Sequence, residues 1–368
     1  MFSNLIEKAE VHFKALKPFV MYRKPLEHSV TAIFQNDDSL NFVSDFTEQG
    51  FVFAPFDSND KIVLLKIDEK VSSIFQNEKK TEKVGEWGNE IDDSQKEFYI
   101  NLVKKALKSI EKKTFKKVVL SRKLEITTQK SPFTLYKALL SNYNAAFCYL
   151  WYHPKVGLWL GATPEILLRT ENKQLKTMSL AGTQKYTGID IPKWGNKELE
   201  EQELVTQYIS DALIGEVDQL KISETTSVRA GNLFHLRTSV SGLMKNNNIN
   251  PIVKALHPTP AVCGLPKKTT KEFILKNENY NRAYYTGFLG ELNFKEETSR
   301  SGNQRNKENQ VYKTIKNTTS LYVNLRCMQL EDTKAYIYVG GGITQDSDPN
   351  KEWEETVAKS NTMLSVLV

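Results

Sequence analysis

The apolar positions along this chain follow two rhythms. In four stretches they recur every three to four residues, the spacing that lines one face of a helix. "MFSNLIEKAEVHFKALKPF" opens the chain in this way. "DDSQKEFYINLVKKALKSIEKK" (92–113) repeats it, with Asp93 or Ser94 as cap and a stripe of Tyr99, Leu102, Val103, Ala106, Leu107 and Ile110. The third stretch is "NKELEEQELVTQYISDALI" (196–214), and the fourth is "KEWEETVAK" (351–359) before the closing apolar "MLSVLV".

Elsewhere the rhythm is that of strands, rich in β-branched and aromatic residues. "SVTAIFQ", "GFVFAPF" and "KIVLLKI" fall in the first 110 residues, and "FKKVVLSRKLEITT" follows the second helix. Residues 145–183 read as consecutive strands with turns at Pro154 and Asn172. "AYYTGFLGELNF", "TSLYVNLRCMQLE" and "KAYIYVGGGIT" each read as one long strand. Two polar segments interrupt the pattern: a connector at 76–94 and "KEETSRSGNQRNKENQVYKTIKN" (295–317), an exposed loop or extended hairpin tip. Runs of strands with a few helices predict an α+β protein with large, mostly antiparallel sheets.

Composition narrows the partners. The chain has 368 residues, 40% hydrophobic and 26% charged, with a formal net charge of +6 from 50 basic and 44 acidic residues. The lysines lie beside acids rather than in a basic block with interleaved aromatics, so nucleic acid is not an expected partner. Cys148, Cys263 and Cys327 are too few and too scattered for a disulfide frame or a thiolate metal site, which fits a reducing compartment. The first residues lack the apolar core of a signal peptide, and no run is long enough to span a bilayer. The expectation is a cytoplasmic protein with no membrane partner.

Charge placement raises the chemical question. In the third helix Glu198 and Glu201 continue a stripe that becomes apolar at Val205 and Ile209. They point inward, and an unpaired buried carboxylate is very costly, so they need a cation. In the fourth, Glu352, Glu355 and Lys359 repeat the arrangement beside Trp353, Val357 and Leu364. Oxygen-only donors would suit Mg2+; a buried Arg or Lys would serve as well.

Lys117 alternates with the apolar Phe115 and Val119, which makes it a buried base or a lysine snorkelling at a strand edge. Glu165 follows a Thr-Pro kink, and the glycines of "VGGGIT" could free backbone N–H groups for a carboxylate or form a tight turn. Arg326 could pair with a carboxylate of a ligand or of the protein. His257, among prolines, could line a site or cap a turn. Nothing matches GxGxxG or Gly-Lys-Ser/Thr, so nucleotide binding is not indicated.

Taken together, these segments resemble the chorismate-utilising enzymes, the isochorismate, salicylate, anthranilate and aminodeoxychorismate synthases. The resemblance runs from Lys117 to the end, in the family's order: "KVVLSR", "GATPEILLR", "SLAGT", "KELEEQELV", "HPTPAVCGLP", "YTGFLGEL", "NLRCMQL", "GGGIT" and "EWEET". The first 110 residues match poorly, residues 111–368 carry the motifs, and a single domain is expected over 1–368. The resemblance implies one α+β domain of two stacked, mostly antiparallel sheets, with helices outside and a deep central cleft.

It also implies roles. Glutamates matching Glu201 and Glu355 hold Mg2+ at the ring carboxylate of chorismate, with Glu198 and Glu352 in support. Residues matching Arg326, Tyr285 and the glycines Gly341 and Gly342 hold the enolpyruvyl side chain; Thr183 lies near the reacting ring and Lys359 near the metal. Lys117 matches the base of isochorismate and salicylate synthases, which anthranilate synthases lack, and Glu165 would be the acid. Ala181 stands where aminodeoxychorismate enzymes have a nucleophilic lysine, so no glutamine-amidotransferase subunit is implied. The resemblance therefore implies an isomerase, a monomer that turns chorismate into isochorismate, with salicylate synthase as the alternative.

Overall fold

The computed structural model describes residues 1–76, 93–186, 188, 192–230, 233–299 and 313–367. Two antiparallel sheets run through them. The first is ordered β15 (Gly264–Leu265), β7 (Lys117–Thr127), β19 (Lys334–Ile343), β18 (Cys327–Glu331), β9 (Gly157–Thr163), β8 (Phe147–His153), β1 (Phe19–Arg23), β2 (Ser29–Phe34) and β6 (Glu69–Ile74). The second is ordered β12 (Val217–Ile222), β14 (Leu233–Met244), β11 (Gln174–Lys185), β10 (Ile166–Glu171), β17 (Lys313–Val323), β16 (Phe288–Ser299), β4 (Gly50–Ala54), β5 (Val63–Leu65) and β3 (Asn41–Phe42), with β13 (Thr226–Ala230) also on β14. The poorly matched first residues thus belong to both sheets, since β1 pairs with β8 and β4 with β16.

Strand periodicity divides the side chains between two cores. Along β8, Phe147, Tyr149 and Trp151 face inward and meet Phe53 and Tyr322 of the other sheet, while Cys148 and Leu150 face outward onto helices. Each such fully buried side chain stabilises the sandwich by roughly 1.5–3 kcal/mol. The outer face of the first sheet is covered by α1 (Phe2–Lys14), α3 (Pro132–Asn142) and α7 (Pro349–Leu367). The second is covered by α4 (Asn196–Leu213) and α5 (Asn250–Leu256). The stripe expected on α2 (Asp93–Glu111) is buried against Trp353, Phe115 and α6 (Lys267–Asn277). The three cysteines are buried and unpaired.

Two apolar runs expected as single strands are each two. β9 ends in the first sheet at Thr163, and β10 begins in the second at Ile166. β17 ends in the second at Val323, and β18 begins in the first at Cys327. The runs stay apolar because both halves are buried, so only the backbone marks the change. Arg326 has φ of 47°, a left-handed value. The crossings are hydrogen-bonded to each other: Ala162 N–H donates to the Arg326 carbonyl at 3.0 Å, and Val323 N–H to the Glu165 carbonyl at 3.0 Å. They approach so closely that a Cβ at Gly161 would sit 2.9 Å from the Arg326 oxygen.

The flanks of 295–317 pair as an extended hairpin, Ser299 with Lys313, while the tip and most of the connector at 76–94 lie outside the described residues. No described helix is long and apolar enough to cross a membrane.

Candidate active site

The two crossings and the glycine end of β19 line a cavity with about 780 Å³ of empty space, part of it open to solvent. Glu165 and Arg326 enter it from the crossings, and Ala181 and Thr183 from β11. Tyr285, Gly341, Gly342, Glu201 and Lys359 complete the wall, so most of the residues singled out from the sequence meet around one space.

Gly340–Gly342 do not form a turn. They remain in the ladder, Gly341 opposite Leu120 and Gly342 opposite Val119 on β7. On the other edge β18 pairs no further than Ile337, so among the described residues no strand covers the glycines there. Lys359 Nζ donates to the Gly340 carbonyl at 3.0 Å. A Cβ on Gly342 would lie 2.3 Å from Glu201 Oε1 and 3.0 Å from Lys117 Cε, and one on Gly341 would lie 3.2 Å from Glu352 Oε2. The absent side chains are what lets the acids and Lys117 draw together.

Each of those acids holds an ammonium group. Lys117 is fully buried on β7, with Nζ 2.9 Å from Glu201 Oε1. Lys197 pairs with Glu352, and Lys359 Nζ is 2.7 Å from Glu355 Oε1. Burial alone would raise the Glu201 carboxyl, but Lys117, Lys197 and Lys359 outweigh it and hold the group below its ordinary value. Glu352 is pushed up to about 6 by burial and by Glu355, against the pull of Lys197.

As they stand, no three His, Cys, Asp or Glu among the described residues converge as a ready metal site. Yet Glu352 Oε2 is a buried carboxylate oxygen without a hydrogen-bond partner, beside the hollow at Gly341. That oxygen, with Glu201 and Glu355 nearby, fits a hard cation. Glu198 does not join them: its Oε2 accepts from the Gly195 N–H at 3.0 Å and closes the first turn of α4. The expected inward stripe therefore begins at Glu201.

Glu165 differs from the other acids. It is 3% exposed, and burial pushes its carboxyl up to about 8 against the opposing charges of Lys117 and Lys359. It is a carboxylic acid that keeps its proton at neutral pH.

Arg326 is held by a histidine that sequence reasoning missed. His235 Nδ1 lies 3.0 Å from the Gly182 carbonyl, which can only accept, so this nitrogen carries the proton. Nε2 is left to accept from Arg326 Nη2 at 2.5 Å. Burial, with Arg326 and Lys359, keeps the imidazole well below its ordinary value and therefore neutral. Its signal was weak, because His235 shares its strand face with the exposed Arg237 and Ser239 of "LFHLRTSV". Lys197, also missed, looked like one more surface lysine. His257 does not line the cavity: its Nε2 lies 3.0 Å from the Pro55 carbonyl, and its ring packs edge-on to Phe288. It ties the segment before Cys263 to that after β4, so the site reading is withdrawn.

Known proteins resemble this chain along most of its length. The family described as "Chorismate binding enzyme" matches residues 52–312, and a second family of that description matches 311–365. Isochorismate synthase EntC of Escherichia coli (strain K12) is 29% identical over 263 residues, 68% of this chain and 62% of that protein. The match thus spans less than two thirds of that relative's length. Isochorismate synthase DhbC of Bacillus subtilis is 26% identical over 313 residues, 80% of this chain and 73% of that protein. The solved structure of MenF, the menaquinone-specific isochorismate synthase of Escherichia coli, superposes with a TM-score of 0.72 at 19% identity, covering 95% of this chain and 89% of that one. This last likeness is one of fold.

Proposed function

Since this chain belongs to the chorismate-binding enzymes, we propose that it isomerises chorismate to isochorismate. The reading is carried by Glu165, a protonated acid in the cavity wall, and by Lys117, a lysine buried behind that wall against Glu201, with Ala181 in place of a nucleophilic lysine. In its neutral form, having first given up the proton it shares with Glu201, Lys117 takes the proton of a water whose oxygen bonds to ring carbon 2. The ring double bonds shift, and the carbon 4–oxygen bond breaks as Glu165 delivers a proton to that oxygen. One water is consumed and one released.

The remaining residues bind and orient. Arg326, set by His235, faces the enolpyruvyl carboxylate together with Tyr285, Gly341 and Gly342. Thr183 lies at the reacting ring, and Lys359 stands beside the ring carboxylate. Glu201 and Glu355 would hold Mg2+, with Glu352 behind them and Glu198 fixing the helix end, and the ion would supply the positive charge that a substrate carboxylate needs among these acids.

Chromatography of a timed reaction with chorismate and Mg2+ tests the reading. Isochorismate should accumulate as chorismate is lost. Salicylate and pyruvate rising together at that rate would instead make this a salicylate synthase, and an unchanged substrate would remove the assignment.

The acid has its own signature. Glu165 acts only when protonated, so the rate should hold at neutral pH and fall about tenfold per unit once pH passes about 8. Glu165→Gln should cost about 100- to 10,000-fold and lose that alkaline limb. A pH–rate profile in which the variant turns over like wild type would leave Glu165 as a turn residue.

A further inference from the structure

The apolar stripe of α2 contains one polar atom that its packing leaves unused, the hydroxyl oxygen of Tyr99. Tyr99 is fully buried, and among the described residues this oxygen has no hydrogen-bond partner. Its ring centre lies 6.0 Å from that of Trp353 on α7, the residue after Glu352. Trp353 is held in turn by Arg122, whose guanidinium carbon is 4.1 Å from the centre of the indole and whose Nε donates to Thr356 Oγ1 at 2.8 Å. Packing on α7 thus fixes the hydroxyl, rather than a bond of its own.

The hydroxyl is aimed at the carboxylates. A Cβ on Gly341 would lie 3.2 Å from Glu352 Oε2, 3.6 Å from Glu355 Oε1 and 3.7 Å from the Tyr99 oxygen, so the three oxygens surround one hollow. Glu352 Oε2 is itself buried without a partner, since Lys197 takes the other oxygen of that carboxylate. A phenol can donate where a carboxylate can only accept, and leaving both unpaired away from water is costly. Burial and the charges of Glu352 and Glu355 push the Tyr99 hydroxyl well above its ordinary value, so it keeps the proton it would donate.

We propose that Tyr99 is a positioning residue for the carboxylate cluster, its hydroxyl donating to Glu352 when the acids take a divalent cation. The inference rests on the reading above, in which Glu201 and Glu355 hold Mg2+ with Glu352 behind them. A group that hydrogen-bonds the acids around a metal orients them, and its loss typically costs about 10- to 100-fold in metal affinity.

The test compares wild type with Tyr99→Phe, which removes one oxygen and keeps the ring against Trp353, and with Tyr136→Phe. Tyr136 also has a buried hydroxyl without a partner, but beside Cys148 and Arg23 rather than acids. The ion-free proteins are titrated with Mg2+ by calorimetry, melted, and assayed for turnover of chorismate across Mg2+ concentrations. Tyr99→Phe should bind Mg2+ about 10- to 100-fold more weakly and need correspondingly more for half-maximal turnover, with kcat at saturating Mg2+ near that of wild type. Its ion-free melting temperature should equal or exceed that of wild type, because a buried polar atom without a partner is gone. Tyr136→Phe should bind Mg2+ as wild type does. Equal Mg2+ affinity in Tyr99→Phe and wild type would overturn the proposal and leave the metal reading standing. A weakened affinity that comes with a lowered ion-free melting temperature, or that Tyr136→Phe shares, would overturn it as an effect on the fold. A wild type that takes up no Mg2+ would overturn the proposal and the metal reading together. Weaker Mg2+ binding in Tyr99→Phe alone, with chorismate left unchanged by every protein, would overturn isochorismate formation and leave Tyr99 in its role.

Discussion

Lys117→Gln should abolish the proposed isochorismate formation while chorismate still binds. The glutamine side chain is one atom shorter than lysine's, so its amide keeps a hydrogen bond to Glu201, whose Oε1 is 2.9 Å from the lysine nitrogen, only as that carboxylate moves toward it. It cannot accept a proton from water. Loss of a positioned base typically costs about 100- to 10,000-fold. Binding should persist because Arg326, Tyr285 and Lys359 line the cavity independently of Lys117. Calorimetric titration with chorismate should therefore give a dissociation constant near that of wild type, beside a product trace without isochorismate. A variant that still formed isochorismate would remove the base assignment for this enzyme and for a salicylate synthase alike.

Chelation is expected to have an effect of similar size. Turnover should vanish in excess chelator and return with Mg2+, since a substrate carboxylate would otherwise meet Glu201, Glu352 and Glu355 with only lysines between. Glu201→Gln or Glu355→Gln should cost about 100- to 1,000-fold, the scale for removing one preorganised electrostatic partner. Glu200→Gln and Glu354→Gln, on the exposed faces of the same helices, should behave as wild type. Calorimetry with Mg2+ alone supplies a readout free of turnover, and binding should weaken in the first pair and not in the second. Full activity in excess chelator would show that the acids exist to hold Lys117, Lys197 and Lys359.

Much of this site was legible because its residues break local rules. A carboxylate on an apolar stripe, as at Glu201 and Glu352, or a lysine among β-branched residues, as at Lys117, is costly unless paired, so each stands out in the sequence. The helices were legible for the converse reason: α1, α2 and α4 have one wet face and therefore a period. α3 was missed because it is short and weakly patterned, with five buried side chains in 11 residues. The Thr-Pro kink before Glu165 marked one crossing without revealing the change of sheet, and the other was missed because the strands on both sides of Arg326 are buried and a backbone at φ of 47° leaves no trace in an arginine. Glu198 was misplaced by spacing alone, since a glutamate at the third helical position can turn back to cap the helix as easily as reach inward.

The two sheets are held to each other in two chemically different ways. Across most of the interior they meet through rings such as Phe53 against Trp151 and Phe147 against Tyr322, contacts that salt and pH barely touch. At the carboxylate cluster they are joined through helices that ride on different sheets, α4 packed on β11 and α7 on β19. Lys197 bonds α4 to α7 there, and Lys117 bonds β7 to α4. If the acids take a divalent ion as proposed, this fastening between the sheets is one that cations would loosen or tighten, beside a core of rings they cannot reach. Amide hydrogen exchange should register a bound divalent ion in α4 and α7, while the aromatic strands β8 and β9 keep the same protection with or without it.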